Sequence, residues 1–131
     1  MLKFLPSLGG WMLEEGIYGL AYAVDGERMP TEGSALATLR KKGHILGSDP
    51  WGGVFQGSCQ FDAARRVNTV RLRLDVPPDG KLITGFSAGP AGASLDIVGA
   101  FERAAPKTAT VVEAGGAAVR VELTYLGPLP A

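Results

Sequence analysis

The residues able to do chemistry are few. His44 is the one imidazole in the chain and Cys59 the one thiol. His44, Ser48 and Asp49 could be assembled on paper into a nucleophile, base and orienting acid. No strand–turn–helix elbow of the G-x-S-x-G kind surrounds any serine, so His44 reads as a residue beside a turn. Cys59 alternates with Phe55, Gly57 and Phe61, which points it inward as a structural thiol rather than a reactive thiolate. Gly89-Pro90-Ala91-Gly92-Ala93-Ser94 has the glycines of a phosphate loop but lacks the Gly-Lys-Ser/Thr ending, and no helix pattern follows it. Glu14-Glu15, Asp75, Asp79, Asp96 and Glu102 are scattered near strand ends, where exposed carboxylates are the default. The expectation is a protein that is not an enzyme, with no catalytic residue, no metal and no cofactor. One His and one Cys also exclude a His/Cys metal cage and a disulfide framework.

Charge narrows the partners. Lys plus Arg number 13 and Asp plus Glu number 13, for a net charge of zero. A neutral chain lacks the electrostatic footprint of a nucleic-acid or anionic-membrane binder. The short clusters Arg40-Lys41-Lys42 and Arg65-Arg66 read as solvated turns. The segment 1–13, MLKFLPSLGGWML, is broken by Pro6 and Gly9-Gly10 and has no small-residue cleavage site. It is too short to span a bilayer. Residues 1–14 are expected to form an arm or leader, with Met12 an alternative start, and 15–131 one domain in the cytoplasm.

The elements that must position these residues show period two. Val70, Leu72 and Leu74 alternate with Arg71, Arg73 and Asp75. Val119, Val121, Leu123 and Tyr125 alternate with Arg120, Glu122 and Thr124, and Phe55–Phe61 repeats the pattern. These are half-buried strands. Tyr18, Leu20, Tyr22 and Val24 share one face of a further strand over 16–24. Segments 34–40, 44–47, 81–87, 94–102 and 108–113 complete the set. The chain contains 19 glycines and 9 prolines, and they fall between these runs as turn signals: Asp25-Gly26, Lys41-Lys42-Gly43, Asp49-Pro50, Pro77-Pro78-Asp79-Gly80, Gly89-Pro90 and Gly115-Gly116. Asp62-Ala63-Ala64-Arg65-Arg66 offers one helical turn at most. About eight short strands at this spacing predict an all-β fold, a small antiparallel up-and-down barrel, with a sandwich as the alternative.

A barrel has an interior, and here large and small residues are mixed on the inward face. That mixture predicts a filled core, with a hollow one as the alternative. If hollow, the cavity would be lined by Tyr18, Leu20, Tyr22, Leu72, Leu74, Val121 and Leu123 and would take one apolar ligand. If the exterior is what binds, Trp11, Trp51 and Phe61 are the aromatic anchors of an interface, with Arg65 and Arg66 beside them. Core packing is the competing reading of the three aromatics.

Several short motifs then fall in a familiar order. They are Gly16-Ile17-Tyr18, Glu32-Gly33, Lys42-Gly43-His44-Ile45-Leu46-Gly47-Ser48-Asp49, Val54-Phe55-Gln56-Gly57, and the closing run Val121 to Leu129. Together they resemble the GrlR family, negative regulators of type III secretion genes. The resemblance implies a lipocalin-like barrel, often a homodimer, that works by protein–protein binding, with an apolar lipid-like molecule as a further possible ligand. Gly33, Gly43, Gly47, Gly57 and Asp49 would then be structural, serving turns and close strand approach. Asp49 is expected to set its turn by accepting a backbone N–H. Where the family carries an acidic run, this chain has Phe61-Asp62-Ala63-Ala64-Arg65-Arg66. That reverses the local charge and leaves the protein partner unidentified.

Overall fold

The computed structural model describes residues 12–26, 35–49, 52–81, 87–102, 107–114 and 117–130. Eight antiparallel strands follow one another: β1 (Gly16–Val24), β2 (Ala35–Leu39), β3 (His44–Ser48), β4 (Val54–Asp62), β5 (Val67–Val76), β6 (Ala93–Phe101), β7 (Lys107–Ala114) and β8 (Ala117–Gly127). Each pairs with its neighbour in sequence, and β8 returns to pair with β1, closing the barrel. Closure leaves no free sheet edge at either end of the chain order. The chain is therefore an all-β, up-and-down barrel of eight strands.

Alternation does the sorting. In β5, Asn68, Val70, Leu74 and Val76 are buried while Arg71 and Arg73 are exposed. In β8, Val121 and Leu123 are buried, and Arg120 and Leu126 face outward. The register then brings inward residues side by side: Phe55 opposite Leu74, Cys59 opposite Val70, Leu72 opposite Ile97, Leu20 opposite Leu123. On the outside of β5 and β6, Asp75 accepts hydrogen bonds from Ser94 Oγ at 2.6 Å and Arg73 Nε at 3.0 Å. The Ser94 hydroxyl first, and the Arg73 guanidinium next, hold the Asp75 carboxyl below its usual range.

The connections follow the turn chemistry. Lys41–Gly43 forms a single 3₁₀ turn between β2 and β3. Gly43 takes φ +80°, the left-handed conformation that a side chain disfavours. The β4–β5 hairpin closes through Asp62. Its Oδ1 accepts the Ala64 and Arg65 amides, both at 3.1 Å, and its carbonyl accepts the Arg66 amide at 2.7 Å. The short helical option for this segment resolves to a hairpin turn. The segment 81–87, expected as a ninth strand, shows one isolated bridge between Lys81 and Ser87, and 82–86 lie outside the described residues. Gly33, Trp11 and Trp51 also lie outside them.

The chain entering β1 is tied to the barrel. The Leu13 amide donates to Asn68 Oδ1 at 3.0 Å, and Asn68 Nδ2 donates to the Phe101 carbonyl at 3.1 Å. The Tyr18 hydroxyl donates to the Glu14 carbonyl at 2.6 Å. Leu13 packs against the core. Residues 13 and 14, assigned from sequence to an arm, are thus tied to the barrel. Tyr18 meets Tyr125 edge-on, with ring centroids 5.4 Å apart and planes at 69°, the arrangement that the ring quadrupoles favour.

Candidate functional site

The barrel is hollow. The expected filled core is corrected by a cavity of about 330 Å³ inside it, walled by side chains from all eight strands and by Leu13. The physical reason lies in the small inward residues. Ala37, Ala114 and Ala117 line the wall where larger side chains would fill it. Eight strands hold the walls at a fixed separation, so small side chains leave space rather than drawing the walls together. The Phe55 ring folds over the space above Gly47, its cross-strand partner.

All seven residues singled out as lining candidates stand on this wall: Tyr18, Leu20, Tyr22, Leu72, Leu74, Val121 and Leu123. Val24, Leu39, Ile45, Phe55, Cys59, Val70, Leu95, Ile97, Phe101, Val112 and Val119 join them. Among the described residues, no Lys, Arg, His, Asp or Glu lines the cavity.

Two buried polar contacts escaped sequence reasoning. The first is Asn68. It lies two residues before Val70 on the same face, so extending the alternation backward would have flagged a polar residue on an apolar face. The second is the pair Tyr22 and Asp49. The Tyr22 hydroxyl donates to Asp49 Oδ2, and Asp49 is 3% exposed. Burial first, then the Asp49 hydrogen bond and charge, push the Tyr22 phenol well above its ordinary value, so it stays neutral. The turn after Asp49 is closed by backbone bonds, from the Asp49 amide to the Gly53 carbonyl at 2.7 Å and from the Gly52 amide to the Asp49 carbonyl at 3.0 Å. The Asp49 side chain reaches across to β1.

The would-be triad does not assemble. His44 and Ser48 both face outward on β3, four residues apart, about 13 Å at the rise of a strand. Asp49 is buried against Tyr22 instead. His44 borders a shallow surface depression with Glu15, Arg40, Lys41 and Leu129. Among the described residues, no group of three or more His, Cys, Asp or Glu could hold a metal ion, and no helix is long and apolar enough to cross a membrane.

Cys59 is buried and its thiol is pushed from 9.0 up to about 11 by burial. In the folded protein it should react with iodoacetamide at least tenfold more slowly at pH 8 than in denaturant, because thiolate is the nucleophile. The linkage has a definite sign. The folded thiol holds its proton to higher pH than the unfolded one, so this contribution to stability is complete below about pH 9 and is lost toward pH 11. Equal alkylation rates in the two states would show that Cys59 is not shielded by the wall.

Of the interface candidates, Phe61 is half-buried, and Arg65 and Arg66 are exposed in the β4–β5 hairpin. The larger exposed apolar residues lie elsewhere. Leu36, Leu46 and Val54, at 52%, 54% and 46% exposure, stand on consecutive strands β2, β3 and β4. The register sets them among Thr38, Ser48 and Gln56.

Compared with protein-family models and with curated proteins, the chain matches none.

Proposed function

We propose that this is a cytoplasmic binding protein that holds one small apolar molecule in its barrel, acting by binding rather than by catalysis. The observation that carries this reading is the 330 Å³ cavity, whose described lining residues are all uncharged. Its size falls in the lower part of the ~300–1,000 Å³ typical of small-molecule sites. An apolar void forfeits dispersion contacts along its lining and stays dry, and a guest of matching shape restores those contacts.

The test is binding of N-phenyl-1-naphthylamine, an apolar fluorophore, with native mass spectrometry to detect a molecule retained from the host. Saturable enhancement of the fluorophore is expected. Leu72→Trp, which puts an indole into the cavity from the middle of β5, should weaken that binding at least tenfold while leaving the circular dichroism of the barrel unchanged. Unaltered binding by Leu72→Trp would mean that the fluorophore sits on the exterior, and the reading would fall.

A second reading is favoured by Leu36, Leu46 and Val54. It is a regulator or adaptor like the GrlR family, acting through protein contact. A half-exposed apolar cluster on three adjacent strands is what a contact face needs. Thr38, Ser48 and Gln56 beside it are neutral, and Asp75, opposite Val54, is paired with Arg73, so the cluster can meet its own copy, and a homodimer is the occupant this reading commits to. Leu46→Arg should then convert dimer to monomer in analytical ultracentrifugation. A monomer at all concentrations in the unmodified protein would dispose of it.

A further inference from the structure

The hydroxyls on the cavity wall are all oriented the same way. Tyr22 gives its proton to Asp49, and Tyr18 gives its proton to the Glu14 carbonyl. Thr38 also borders the cavity, but its hydroxyl stands on the outer face of β2 and donates to the Leu46 carbonyl at 3.3 Å. A phenol that has donated its proton still accepts at oxygen. The phenol oxygens on the wall can therefore accept, and among the described residues no lysine, arginine or histidine lines the cavity to meet an anion.

Tyr22 is the stronger of the two phenol acceptors. Its proton goes to a buried carboxylate, and such a bond leaves the phenol oxygen more electron-rich than a bond to a neutral carbonyl does. A guest O–H or N–H placed on that oxygen would extend a chain running from guest to Tyr22 to Asp49. A guest carboxylate in the same place would meet lone pairs with the Asp49 charge behind them. A guest ether or ester would bring only further acceptors. Like groups facing each other across a desolvated contact are strongly disfavoured.

We propose that the cavity selects an apolar molecule whose polar end is a hydrogen-bond donor, an alcohol or an amine, with that end seated on the Tyr22 hydroxyl. The inference rests on the cavity-binding reading above and gives that site a ligand class.

The experiment is a competition series against N-phenyl-1-naphthylamine on the full chain, at constant chain length and varied head: decan-1-ol, decylamine, decanoate and the methyl ether of nonan-1-ol. Decan-1-ol or decylamine should compete at least tenfold more tightly than the ether and decanoate. Preference for the amine over the alcohol would identify the Asp49 charge as the selecting group, and preference for the alcohol the Tyr22 oxygen itself. Decanoate or the ether binding as well as both donors would overturn the proposal while leaving the carrier reading intact. A fluorophore that does not bind, together with no binding of any of the four by calorimetry, would remove the carrier reading and this one with it. Tyr22→Phe should bring the donor-headed ligands down to the affinity of the ether without weakening the ether. If that variant does not fold, the four-ligand ranking on the unmodified protein decides alone.

Discussion

Gly57→Ala is expected to destabilise the protein by about 3 kcal/mol, at the upper end of what overpacking costs. A Cβ placed on Gly57 would stand 2.0 Å from the Arg71 carbonyl oxygen and 2.8 Å from Leu72 Cα. Both are backbone atoms of β5, the strand hydrogen-bonded to β4. No rotamer change relieves the clash, so the strands must separate where Gly57 pairs with Leu72. For a chain of this length the melting temperature should fall by roughly 10 °C. Gly26→Ala is the comparison. Gly26 has φ +92° and nothing within 4 Å of its built Cβ, so that substitution meets backbone strain alone. It should cost about 1 kcal/mol. Thermal melts of the two variants decide the matter. A Gly57→Ala protein as stable as Gly26→Ala would mean that β4 and β5 are not as close as described.

Asn68→Leu is the second large effect, about 3 kcal/mol. Asn68 is 2% exposed and uses both ends of its amide, one on the Leu13 N–H and one on the Phe101 carbonyl. Leucine has a similar volume but pairs with neither. Each backbone group left without this partner in the interior costs roughly 1–3 kcal/mol. The substitution also frees the chain before β1, so the effect has a local signature besides the global one. The Leu13 amide should lose its hydrogen-exchange protection, while the β4 and β5 amides keep theirs up to the lowered global stability. A protected Leu13 amide in Asn68→Leu would show that something other than Asn68 holds this segment in place.

Much of the architecture was legible in the residues. The alternations in 70–75 and 119–125 specify strands with one wet face, because a strand turns successive side chains to opposite sides. Lys41-Lys42-Gly43 and Pro77-Pro78-Asp79-Gly80 mark turns, because Gly43 must take a positive φ and the Gly80 amide closes a bond to the Pro77 carbonyl at 2.8 Å. Asn68 and Leu13 were not legible as a pair. They are 55 residues apart, and a contact at that separation leaves no local pattern. The same holds for Tyr22 and Asp49, which are 27 residues apart. Asp49 before Pro50 has a sufficient local explanation as a turn former, which conceals its reach across the barrel.

What the sequence determined by itself was which residues face inward and that every inward wall residue named in advance is uncharged, since both follow from period-two patterning. Only the tertiary structure decided whether the inward faces meet or stand apart. That depends on the number of strands in the closed sheet, which sets the distance between opposite walls, and on where Ala37, Ala114 and Ala117 fall around it. The direction of each hydroxyl was settled at the same level. Tyr22 points its hydroxyl at Asp49 because folding brings the end of β1 to the end of β3.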